Sequence, residues 1–389
     1  MMKAEVWGSM EQTDRIYYPG FDWMRIFGSI LVAASHIVIL PLVQSIFPGF
    51  KNYIYFFDLI LIFYMMSGVL LFHSMNRRKD PRKYVRGYVL KYALLYYAVS
   101  IAGKIWDFAS YAAAGIAVSA KSFLVEVVLL PFVGNKQYQL WFIPPLLAGV
   151  LVTGYFFGRH REKRGAFLVL ILFAAADLAV PLYNHAFVLS GSSSDSWILN
   201  DAVAALAVIL NDHLLRGIPA VYFSCLAAKL VADNKENNNK DNNNDNKPKR
   251  CPLAAFREVH PQQFIAIVIL AVVLALAELV LTVRFSVGGN VYSHRVTIAS
   301  IAVTVLLFLG IRRFPGKWLY AWRFPVAVFA GAMYFLHVFE NRLLLWLGMR
   351  RGMAEFCVIL AMNIGITAIA AAAARCGKGR VRGSGTPRG

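Results

Sequence analysis

The chain of 389 residues is 58% hydrophobic and only 16% charged, which excludes an ordinary soluble domain and indicates an integral membrane protein. Its net charge of +19 would in a soluble chain suggest nucleic acid. The cations lie between apolar stretches rather than in one patch, so the expected partner is the lipid bilayer and not nucleic acid.

A membrane crossing needs roughly 20 mostly apolar residues. In chain order the segments that qualify are 26–46, 54–74, 88–106, 138–158, 165–185, 213–232, 263–283, 294–311, 325–347 and 354–374. The first follows a mixed-charge N-terminus without a small-residue cleavage site, so it is expected to stay as a span. Shorter apolar pieces near 122–133 and 197–211 read as interfacial or re-entrant helices. The expected fold is all-α, a polytopic bundle of about ten transmembrane helices in the cell membrane.

Lys and Arg favour the cytoplasmic side of short loops. Cytoplasmic termini place "RRKDPRKYVRG", "GRHREKRG", "NKENNNKDNNNDNKPKR", "IRRFPGKW" and the basic tail 375–389 inside, with most of the 40 basic residues; "GMRRGM" at 348–353 is the exception. Residues 1–374 form the expected membrane domain. Within it, 233–252 reads as a disordered cytoplasmic loop, because its Asn/Lys/Asp run has no apolar anchor.

Ionisable groups at mid-membrane depth are costly and usually face a polar cavity and a partner. Of the eight histidines, His36 and His337 fall near the middle of a predicted span. At about 1.5 Å rise and about 100° per residue, Arg25 and His36 lie on nearly one helix face, roughly 16 Å apart along the axis. That face could bind an anionic ligand at Arg25 and do proton chemistry at His36; a snorkelling Arg and a hydrogen-bonded His would be the purely structural alternative. Asp58, Asp177, Glu278 and Glu340 lie in or near spans, and Glu340 shares the face of His337. "FIPPLL" at 142–147 and "RGIP" at 216–219 are candidate helix breaks. The four cysteines show no CxxC or Cys/His spacing, so neither a disulfide nor a metal is expected. P-loop, GxSxG and HExxH signatures are missing too.

Four stretches follow one another along the chain: "FDWMRIFGSILVAASH" with Asp22, Arg25 and His36, "IFYMMSGVLLF" with Ser67 and Gly68, "QLWFIPPLL" with Trp141 and Phe142, and "GAMYFLHVF" with Tyr334 and His337. Together they resemble membrane acyltransferase family 3, whose members carry acyl groups from cytoplasmic acyl-CoA to sugars and other acceptors at or across the bilayer. The chain departs from the family's Arg-rich patch after the second span, with Gly87 and Tyr88 where arginines are usual.

The resemblance implies an acyl-CoA donor, acetyl-CoA by default, no permanently bound cofactor, and a glycan or lipid-linked sugar acceptor. His36 would act as base or transient acyl acceptor, with His337 as a second catalytic group. Arg25, Lys83, Arg86 and Lys91 would hold the CoA phosphates. Asp22, Ser67, Trp141, Tyr334 and Glu340 would line the acceptor cavity, although Ser67 and Gly68 also suit close helix approach. Some family members carry an extracytoplasmic hydrolase-like domain, so transfer outside would use this bundle alone or a separate partner. A secondary transporter or an exporter subunit is the alternative that polytopic architecture with buried His and acid allows.

Overall fold

Prolines and caps set where the helices begin. The computed structural model describes residues 19–39, 59–116, 142–183, 209–241 and 325–383, with isolated positions 41, 42, 45, 119, 140, 206 and 269. They contain helices and no strand, so the chain is all-α: α1 (Pro19–Ala34), a π-helical segment (Ser35–Ile39), α2 (Leu59–Asn76), α3 (Pro81–Ala113), α4 (Ile143–Phe157), α5 (Glu162–Tyr183), a second π-helical segment (Ile209–Gly217), α6 (Ile218–Asp241), α7 (Val326–Trp346) and α8 (Met353–Gly383). The expected interfacial piece 122–133 and spans 263–283 (Ile269 apart) and 294–311 lie outside the described residues.

The first proline motif starts a helix: Pro144 and Pro145 stand in the first turn of α4, where a missing N–H leaves no intrahelical bond unmade. Pro219 instead lies where the second π-helical segment passes directly into α6, inside a continuous helical run. Asp80 caps α3 by accepting from the Lys83 N–H at 3.0 Å. Part of the expected basic loop is therefore helix, and α3 reaches 33 residues. Beyond the expected span ends, α6 continues to Asp241 into the stretch expected to be disordered, and α8 continues to Gly383 through part of the tail. Extending an existing helix costs far less than nucleating one, and Lys, Glu and Arg are good helix formers.

Two groups of helices pack together. In one, α6 lies along α2 and α4, α3 lies on α4, and the second π segment rests on α4 and α5; in the other, α7 packs on α1 and α8. The α2–α6 contact is very close at Gly68, where an added Cβ would meet the Ser224 hydroxyl and the Val221 carbonyl. Such small-residue approach is the usual device of apolar bundles. Gly217 lies against the Pro145 backbone in the same way.

Polar ties close the ends. Arg82 donates to the Gly158 carbonyl at 3.1 Å, Lys229 on α6 pairs with Glu162 at the start of α5 at 2.6 Å, and Arg342 near the end of α7 pairs with Asp107 near the end of α3 at 2.6 Å. Burial alone would raise the Glu162 carboxyl. The hydrogen bond and charge of Lys229, its own backbone N–H and nearby His160 outweigh that and hold it below its ordinary 4.5.

Among the described residues one helix stretch, Met353–Ala373, is long and apolar enough to cross a membrane; Met24–Ile39, Ile60–Asn76, Ile143–Phe157 and Val326–His337 are apolar but shorter. The expected count of ten spans is thus not reached by these helices. Polar residues interrupt several of them, and α1 passes into a π segment.

Gly68→Ala should destabilise the protein by about 1–3 kcal/mol, read as a lower midpoint of thermal unfolding in detergent, because the Val221 backbone cannot yield. Because the Glu162 carboxyl is depressed in the fold, its contribution is present above the ordinary 4.5 and is lost as pH falls through the folded value. Glu162→Gln should flatten that acid part of the stability curve and leave the shape near neutral pH unchanged.

Candidate functional site

Helix α1 opens with Asp22 and Arg25 one turn apart, joined by a 3.2 Å salt bridge. A carboxylate in the first turn suits the helix dipole. Asp22, expected to line the acceptor cavity, is thus paired with Arg25.

On α3, Lys83, Arg86 and Lys91 are all exposed, as phosphate-binding cations need to be. Tyr84, Tyr88 and Tyr92 form a ladder between them, with ring centroids 6.3 and 4.5 Å apart. Lys91 lies over Tyr92 and Arg78 over Tyr84, at 5.8 and 5.5 Å from the ring centres. The i, i+4 spacing of these tyrosines was open to inspection in the sequence, although it had not been singled out there.

The α1 helix widens into its π segment at Ser35–Ile39, so His36 sits in a π turn, a geometry frequent at functional sites. Uniform α-helical phase therefore holds only as far as Ala34, and the single face expected from Arg25 to His36 does not continue unchanged. The His36 side chain lies outside what the structure describes, as does Trp141 entirely. Neighbours locate the His36 backbone: Ala33 packs with Phe329 and Met333 of α7, and Ile37 packs with Leu344 and Ile359. The backbone that carries His36 therefore runs beside α7.

His337 is 1% exposed. Its Nδ1 lies against the Met333 carbonyl, which can only accept, so Nδ1 carries the proton of the neutral ring and Nε2 the lone pair. One turn earlier, the Tyr334 ring stands edge-on to Phe63 at 4.9 Å and tilted to Phe142 at 5.3 Å. The Tyr64 hydroxyl donates to the Phe142 carbonyl at 3.1 Å. Three of the four sequence stretches thus meet at one point. The Tyr334 hydroxyl is buried and has no hydrogen-bond partner among the described residues. Ser67 is not available in the same way, since its hydroxyl donates to the Phe63 carbonyl at 2.7 Å.

Glu340, 5% exposed, accepts from Asn363 of α8 at 2.5 Å. Asn363, Thr367 and Glu355 were not found from the sequence. Their signal is the series Glu355, Ile359, Asn363, Thr367, one buried α8 stripe at i, i+4 spacing. Among the described residues no group of three His, Cys, Asp or Glu side chains could hold a metal ion. Asp22 of the expected acceptor group stands on Arg25 of the expected phosphate-binding group, while Lys83, Arg86 and Lys91 lie on the exposed part of α3.

No family model matches the chain, and neither a curated protein nor a solved structure matches it.

The ring of Tyr334 packs while its hydroxyl does not bond. Tyr334→Phe should therefore leave thermal stability equal or slightly higher, whereas Tyr334→Ala should cost about 3–5 kcal/mol; unfolding midpoints of the two variants check this.

Proposed function

We propose that this protein is an integral membrane acyltransferase resembling membrane acyltransferase family 3, which moves an acyl group, acetyl by default, from cytoplasmic acyl-CoA to a hydroxyl of a cell-envelope or exported glycan. The observation that carries this reading is the meeting of Phe63, Phe142 and Tyr334, from three stretches far apart in sequence, beside α1 and His337.

Membrane immersion is supported by the outward faces. Leu90, Leu94, Ile101 and Ile105 fall on one stripe of α3 and are all exposed, as are Phe167, Leu170 and Leu178 on α5 and Ile364 and Ile369 on α8. A soluble monomer rarely leaves so much apolar surface to water. A multi-pass bundle with these stripes toward lipid, and with the ties at Arg82–Gly158 and Glu162–Lys229 on the cytoplasmic side, accommodates them together.

Acyl transfer to a hydroxyl needs a base or an intermediate nucleophile, and charge stabilisation for the developing oxyanion. His36 takes the first role as base or transient acyl acceptor. Arg25, Lys83, Arg86 and Lys91 hold the CoA phosphates, where guanidinium and ammonium groups bind well. The Tyr84–Tyr88–Tyr92 ladder gives that end a partly apolar wall. His337 and Tyr334 orient the acceptor or complete the proton relay, and delivery to an outside acceptor proceeds within the bundle or through a separate extracytoplasmic partner. The secondary-transporter reading draws on Glu355, a fully buried carboxyl, since such groups also serve ion coupling.

His36→Ala should abolish transfer from acetyl-CoA to the acceptor at unchanged protein level. Near-normal transfer by that variant removes His36 from the chemistry, and vesicle uptake of a sugar precursor without any CoA release would favour transport instead.

A further inference from the structure

The face of α8 that meets α7 carries Glu355, Ile359, Asn363 and Thr367, none of them more than 1% exposed. Three of the four are polar. A face that served packing alone would avoid this, because a polar group buried without a partner costs about 1–3 kcal/mol. Asn363 has one workable orientation. Its Nδ2 lies 2.9 Å from the Ile359 carbonyl, which can only accept, so the amide nitrogen is fixed there and its other N–H is aimed at Glu340 Oε2, 2.5 Å away.

Glu340 is thereby held by one oxygen, while Oε1 has no hydrogen-bond partner among the described residues. Three positions earlier on the same face of α7 is His337, whose neutral ring keeps its lone pair on Nε2. The charged groups on neighbouring elements are committed elsewhere. Arg342 pairs with Asp107, which also faces Lys104, and Arg25 pairs with Asp22. Between Arg25 and His36, α1 has no ionisable side chain. On α8, Glu355 stands two turns from Asn363 and Cys357 is exposed.

We propose that Asn363 is a positioning residue: it fixes the Glu340 carboxylate where it compensates the charge that His337 takes up as the relay carries a proton during acyl transfer. The inference rests on the acyltransferase reading of the same site. As the acceptor oxygen forms its C–O bond to the acyl carbon, its proton passes to the histidine relay. The C–S bond breaks with its electron pair on sulfur, and the relay returns the proton to that thiolate. While His337 holds the proton, imidazolium and carboxylate together are neutral, where a lone buried cation would be costly.

The full chain in lipid nanodiscs, supplied with acetyl-CoA and with glucose oligomers as hydroxyl acceptors, reports kcat and KM through release of the CoA thiol. Asn363→Leu and Glu340→Gln should each lower kcat about 10- to 100-fold with KM for acetyl-CoA unchanged. Glu340→Asp should recover part of that loss, and Thr367→Val, equally buried but outside the carboxylate link, should keep the wild-type kcat. Retention of kcat in Asn363→Leu or Glu340→Gln overturns the proposal while acyl transfer stands, and so does an equal loss in Thr367→Val. Absence of CoA release by the wild type, or release indifferent to His36→Ala, overturns the acyltransferase reading and this assignment with it.

Discussion

The Tyr334 ring is the wedge on which the arrangement depends. It belongs to the group of helices built on α1, α7 and α8, yet it packs against Phe63 of α2 and Phe142 at the entry to α4. Aromatic rings at these separations gain about 0.5–1.5 kcal/mol beyond their buried area, and here the gain joins two halves that otherwise touch mainly through α1–α2 packing and the Arg342–Asp107 pair. Because α7 is fixed at Tyr334, His337 is fixed one turn further on. The same contact therefore joins the two halves and sets the height of the chemistry.

Around this wedge the helices divide their surfaces by polarity in an unusual sense. Large aliphatic groups on α3, α5 and α8 point outward, while Glu340, Glu355, Asn363, Thr367 and His337 point inward. In water that distribution would be unfavourable on both counts. In lipid it is the favourable one, because hydrocarbon takes the outer stripes and interior polar groups can pair, as Asn363 does with Glu340. The α8 helix shows this over Met353–Ala373, a stretch long and apolar enough to cross a membrane and mostly not buried.

Helix content and most helix positions were legible in the sequence, because apolar runs with proline, Asp80 and basic ends carry that information locally. Gly68 was legible as a small residue suited to close approach, and the structure places Ser224 and Val221 against it. Glu340 was legible as sharing a face with His337, since i, i+3 geometry needs no tertiary knowledge. Its partner was not. Asn363 lies in "LAMNIGIT", and only the packing of α8 on α7 gives its amide a carboxylate to bond. Nor could the π segment at Ser35–Ile39 be read ahead, since "SHIVI" continues the apolar pattern of α1.

The separation of cationic and histidine ends carries a mechanistic consequence. Lys83, Arg86 and Lys91 belong to the exposed start of α3, whereas His36 lies beyond the end of α1, in the π segment that follows it, and His337 lies in the middle of α7. On the proposed acyltransferase reading, a thioester held by its phosphates at the first place would present its acyl carbon at the second. A CoA-like donor fits that demand, because its charged groups and its reactive carbon sit at opposite ends of a long flexible arm. A compact acyl phosphate would bring its charge along with its carbon and place an anion beside Glu340. On the proposed acyltransferase reading, the arrangement suits a donor whose anionic anchor and acyl group are far apart, which would leave the carboxylate that Asn363 holds to answer the charge on His337.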